Sequence, residues 1–151
     1  MDEQQSFITA DSLTIAVDFD GTIVEHAYPG IGKEMLFAFD TLKALQKKGH
    51  KLILWTIRSG ELLDEAVEYC RQNGVEFYAV NANFPEETDE NMHTRKLNAD
   101  LYIDDRNVGG FLGWGEIWNL LYPGTQELDY QLNNPDAHNN YRKQGFWKRL
   151  F

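Results

Sequence analysis

Cysteine is nearly absent from this sequence. Cys70 stands alone, so no disulfide can close within the chain. No run of residues is apolar for long enough to cross a membrane as a helix. The opening residues, MDEQQSFITADS, lack the basic n-region of a secretory leader. Basic charge is scarce too. The formal net charge is −10 and no basic stripe stands out, which disfavours general nucleic-acid binding. These absences together predict a reducing, cytoplasmic setting without membrane contact. A small phosphate ester remains open as a ligand, provided local cations or a metal neutralise its pocket. An internal repeat and a domain-splitting linker are also missing.

What is present reads as one folded domain. The chain has 151 residues, 42% hydrophobic and 13% aromatic, enough for a sizeable core. LTIAVD (Leu13 to Asp18) is apolar nearly throughout, as buried parallel strands are. Met35, Phe39, Leu42 and Leu45 keep helical spacing within Glu34 to Lys48, with Gly49 where a C-cap belongs. KLILWT (Lys51 to Thr56) predicts a second strand. Ser59 is placed to cap a helix over 61–73, whose apolar face includes Cys70 and which Gly74 closes. EFYAV (Glu76 to Val80) and DLYID (Asp100 to Asp104) predict further strands, and Trp114 to Tyr122 a helix with Trp114 and Trp118 in the core. Strands alternating with helices imply βαβ units. The expected fold is α/β: a Rossmann-like three-layer sandwich on a mostly parallel sheet, covering 1–123. Residues 81–95 resist assignment. Residues 124–151 form an extension that could dock on the domain, hang free or bind a partner.

The polar residues then fall into place. Asp18 ends the first strand and Asp20 lies just beyond it. Thr56 ends the second strand, and Asp104 and Asp105 end the fourth. In an open parallel sheet, ligands bind beyond the carboxyl ends of the strands, where the connections diverge. Four carboxylates on one rim repel each other unless a cation sits among them. Oxygen-only ligands suit Mg²⁺, which keeps some waters and shares its shell with substrate phosphate. Gly21 and Thr22 continue the turn, where glycine lets backbone N–H groups approach an anion.

DFDGTI, the strand-ending threonine of LILWTIR, the lysine of RKLNAD, and YIDD resemble, in order, the motifs of the haloacid dehalogenase superfamily of phosphatases. The resemblance covers about 13–122. It implies a hydrolase in which Asp18 is the nucleophile, forming an aspartyl-phosphate, and Asp20 is the general acid and base. It further implies Mg²⁺ held by Asp18, the Asp20 main-chain carbonyl and Asp104, with Asp105 a ligand directly or through water. Thr56 would bind a phosphoryl oxygen. For the phosphate-binding cation, Lys96 fits the family order but lies only eight positions before Asp104, near the amino end of its strand. Arg58 and Arg106 stand at the correct end and are alternatives. The short spacings between motifs leave no room for a cap domain. An open site of this kind takes bulky substrates, or small ones if a second copy covers the rim.

Competing readings stay in view. Asp104 and Asp105 could merely cap a helix, Arg58 and Arg106 could be solvated surface charges, and the four histidines show no metal-ligand spacing. Glu25 to Glu34 could be a connector or a substrate-facing flap. A receiver-like phosphoacceptor domain, or a non-catalytic binding module on the same fold, are alternatives to a phosphatase acting on a small phosphorylated metabolite.

Overall fold

The computed structural model describes residues 12–124. Four parallel strands form one sheet: β1 (Thr14–Val17), β2 (Lys51–Leu54), β3 (Ala79–Val80) and β4 (Leu101–Ile103), in spatial order β3-β2-β1-β4. Ala16 lies between Ile53 and Tyr102, and Val17 between Leu54 and Ile103. β1 and β2 are central, and Ile15, Ala16, Val17, Ile53 and Leu54 have no exposed surface. Burying an aliphatic side chain of this size contributes about 1.5–3 kcal/mol, which explains the unbroken apolar runs. This is a small Rossmann-like α/β fold without a cap.

Two helices join the first three strands: α1 (Ala38–Lys47) and α2 (Gly60–Gln72). α1 starts four residues later than its spacing predicts. Phe37, just before it, sits at φ 65°, and the Glu34 carboxylate accepts from Phe39 N (3.2 Å) instead of joining the helix. Ser59 precedes α2 as expected, but its side chain makes no capping hydrogen bond. Phe39 and Tyr69 meet at 5.7 Å between ring centroids, so α1 and α2 pack side by side. Cys70 is fully buried, and burial pushes its thiol up to about 12, which makes it a core residue.

The other face of the sheet is covered differently. No helix lies between β3 and β4, so the third layer is an irregular segment. Leu97 packs on Ala16, Ile53 and Ala79, flanked by Trp55, Ala82, Ala99 and Tyr102. Side chains hold this segment together: Asn83 Nδ2 donates to Glu87, and Asn98 N donates to Asn83 Oδ1 (2.7 Å). The polar composition of 81–95 thus serves local hydrogen bonding in place of a helix.

The chain divides into two compact units, Met1–Phe111 and Leu112–Phe151. α3 (Trp114–Leu121) belongs to the second, whereas the sequence groups it with the α/β domain. Trp114 and Trp118 are buried, and Trp118 stacks near Tyr122 (4.6 Å). Most of the extension 124–151 lies outside the described residues. No helix among the described residues is long and apolar enough to cross a membrane.

Candidate functional site

From β1 the chain moves outward to β2 and β3, then returns to place β4 on the opposite side of β1. The connections therefore diverge between β1 and β4, where a parallel sheet opens a crevice at its carboxyl edge. Asp18 leaves β1 there, its N–H donating to Ile103 O (2.9 Å), and Asp104 and Asp105 leave β4 directly opposite. One carboxylate oxygen from each of Asp18, Asp104 and Asp105 lies within 4.8 Å of the others. Asp105 Oδ1 is buried with no hydrogen-bond partner in the protein. A buried acceptor without a donor is costly, and a cation would satisfy it. Three aspartates here could hold a metal ion.

Their electrostatics agree. Burial, followed by the Asp105 contact, pushes the Asp18 carboxyl up to about 7; the nearby charges add to this, while the Thr22 hydroxyl opposes it. Burial works against the charge of Asp105 as well. The His26 ring, then Asp18 and Asp104, outweigh that and hold Asp105 below the ordinary carboxylate range. His26 Nε2 lies 2.7 Å from Asp105 Oδ2. Asp18 is thus the harder of the two to ionise without a cation beside it.

The turn after β1 is closed by its own backbone. Gly21 N donates to Val24 O (2.7 Å) and Thr22 N to Phe19 O (3.2 Å), while Thr22 Oγ1 donates to Asp18 Oδ2 (2.9 Å). The N–H groups of Gly21 and Thr22, expected to face a phosphate, are thus engaged in the turn itself. Gly21 has a different use. At φ 85°, a Cβ on it would collide with Asp105 Oδ2 and His26 Nε2.

Arg58 also departs from its predicted part. The side chain is buried, and it forks onto Asp20, Nε to Oδ2 at 2.8 Å and Nη2 to Oδ1 at 2.7 Å. Its remaining donors reach Pro29 O, Gly30 O and Leu62 O. The guanidinium has contacts with the Phe19 and Tyr28 rings, 5.0 and 5.2 Å from their centroids. Every N–H of the fork is engaged inside the protein, so while it holds Asp20 the Arg58 guanidinium has no donor left for a phosphate. It fixes Asp20 and ties the 25–34 loop to the rim. That loop is closed at its base by Glu25 N donating to Lys33 O (2.8 Å).

A cavity of about 180 Å³ opens beside these groups. Asp18, Asp20, Asp104 and Arg106 line it, as do His26, Tyr28 and Ile57. Thr56 and Lys96 do not. Thr56 sits next to it, pinned by its N–H to Asn81 Oδ1 (2.8 Å), with its Oγ1 accepting from Arg58 N (3.1 Å). Lys96 is carried by Leu97 onto the sheet face, where its ammonium lies 5.3 Å from the Tyr102 centroid. The cavity's cation is Arg106, whose N–H donates to Asp104 Oδ1 (2.9 Å). His26, Tyr28 and Ile57 escaped the sequence reading; the one signal was the position of the first two in a glycine-containing loop just after the acidic turn.

A solved structure is similar to this chain: that of a conserved protein coded by a locus from Bacteroides thetaiotaomicron. The two are 60% identical, with a TM-score of 0.70, over 74% of this chain and 90% of that one. This chain belongs to that protein's family. No family model matches the chain, and no curated protein does.

Proposed function

We propose that the protein is a Mg²⁺-dependent phosphatase of the haloacid dehalogenase type, acting on a small phosphate monoester. The observation that carries this reading is the meeting of Asp18 with Asp104 and Asp105 across the β1–β4 crevice, beside a cavity. Mg²⁺ bound by Asp18, Asp104 and Asp105 would offset the repulsion between a carboxylate and a phosphate dianion. The chemistry of the donor set fits: all ligands are hard oxygens, and one of them has no other partner.

In this mechanism an Asp18 oxygen bonds to phosphorus as the ester P–O bond breaks, and that electron pair leaves with the alcohol oxygen. Thr22, bonded to Oδ2, orients the carboxylate so that its other oxygen points at the substrate. Water then attacks the aspartyl-phosphate, releasing inorganic phosphate and restoring Asp18. Asp20 on the cavity wall receives the proton of that water. To protonate the leaving oxygen in the first step it has to come off the Arg58 fork and take up a proton from solvent, which it then passes to the alcohol oxygen. Arg106 supplies the positive charge facing the phosphoryl oxygens, with Thr56 a neighbouring donor.

Phosphate release from a generic aryl phosphate with Mg²⁺ tests the reading. Asp18→Asn keeps the shape and removes the nucleophilic charge, so it should abolish turnover. Equal, slow release by wild type and variant sinks the proposal; a lasting phosphoaspartate without turnover favours a receiver-like role.

A further inference from the structure

Among the residues that line the cavity, Tyr28 is 52% exposed and Ile57 79% exposed. Apolar side chains that line a pocket and remain exposed give a bound ligand apolar surface to cover. Neither position is slack. The Tyr28 ring packs against the Arg58 guanidinium, which has Phe19 as a second ring neighbour. Ile57 is flanked by Thr56, held through Asn81, and by Arg58, which is buried. The aromatic ring is thus held by its guanidinium contact, and the branched aliphatic side chain stands on backbone fixed at both neighbours.

We infer that the substrate's leaving group carries a flat aromatic ring that packs against the Tyr28 and Ile57 surface while its phosphoryl group faces Asp18. This rests on the phosphatase reading and narrows its substrate class. The Ile57 side chain offers a polyol no hydrogen bond, and that of Tyr28 offers one hydroxyl only, so a bare sugar phosphate would lose water contacts against these side chains without replacement. A ring would gain stacking on Tyr28 and cover Ile57.

Two matched pairs test this, each sharing its leaving-oxygen chemistry: adenosine 5′-monophosphate against ribose 5-phosphate, and 2-phenylethyl phosphate against propyl phosphate. With Mg²⁺, the ring-bearing member of at least one pair should have a kcat/KM higher by about tenfold or more, the size of one good stacking contact. The pair that shows it tells a nucleobase from a simple aryl group. Tyr28→Ala and Ile57→Ser should each shrink the ratio, while Tyr28→Phe should preserve it. Ratios near one in both pairs, or a ratio unmoved in Tyr28→Ala, overturn the inference but leave the phosphatase reading standing. If no ester is hydrolysed, that reading falls. The ring preference is then decided by titrating Mg²⁺-loaded protein with benzylphosphonate and methylphosphonate: equal affinities, or no binding of either, overturn it.

Discussion

Arg58 grips Asp20 with two parallel hydrogen bonds of 2.8 and 2.7 Å, in a place where the guanidinium has almost no access to water. Such a pair holds geometry more than it adds stability, but breaking one side leaves a buried charge without its partner. Arg58→Met should therefore destabilise the protein by about 3 kcal/mol or more, read from urea denaturation. Adding Asp20→Leu to Arg58→Met should recover part of the loss. If Arg58→Met alone unfolds like wild type, the fork is not holding the rim together.

Gly21 is a second position with little tolerance for change. Its φ of 85° and the closeness of Asp105 and His26 leave no room for a methyl group. Gly21→Ala should cost about 1–3 kcal/mol and separate His26 from Asp105. A crystal structure of a stable Gly21→Ala variant with the 2.7 Å contact intact would contradict this.

Metal binding should appear as stabilisation. A ligand at about a hundred times its Kd adds roughly 2.7 kcal/mol to the folded state. Millimolar Mg²⁺ should raise the melting temperature above that in a chelator, and Asp104→Asn should remove most of the rise. Equal shifts in wild type and Asp104→Asn would place the ion elsewhere.

His50 gives a pH dependence. Its Nδ1 accepts from Leu13 N (2.9 Å), which requires the neutral ring, and burial, aided by the Lys48 charge, lowers its pKa. The unfolded chain then takes up a proton more readily than the folded one. The contribution is complete above about pH 6.5 and fades as pH falls through the lowered folded value. His50→Gln can still accept from Leu13 but does not titrate. The stability advantage of wild type over His50→Gln should shrink between about pH 7.5 and 5.5, by no more than about 1 kcal/mol. A difference that stays constant across that range would show that His50 is not the titrating group.

Much of the site is legible in the chain because strand ends are. An apolar run that stops at Asp18, and another that stops at Asp104, place both residues on one rim once the strands are parallel. Lys96 was harder. Its order along the chain matches a motif although its spacing does not, and Leu97 beside it is buried on the sheet face, where a lysine next to that anchor follows it. Ser59 illustrates the same limit at smaller scale, since residue type alone does not aim a hydroxyl.

The order of apolar and polar residues by itself determined the two central strands, the two crossover helices and the cluster of acids at the sheet edge. These follow from local periodicity and from the cost of burying unpaired charge. The third strand, expected from Glu76, forms only over Ala79–Val80. Only the tertiary structure decided that Arg58 clamps Asp20, that His26 meets Asp105, and that Tyr28 and Ile57 frame the cavity. Those contacts join residues far apart in the chain, and their partners are chosen by packing and distance, which no local pattern encodes.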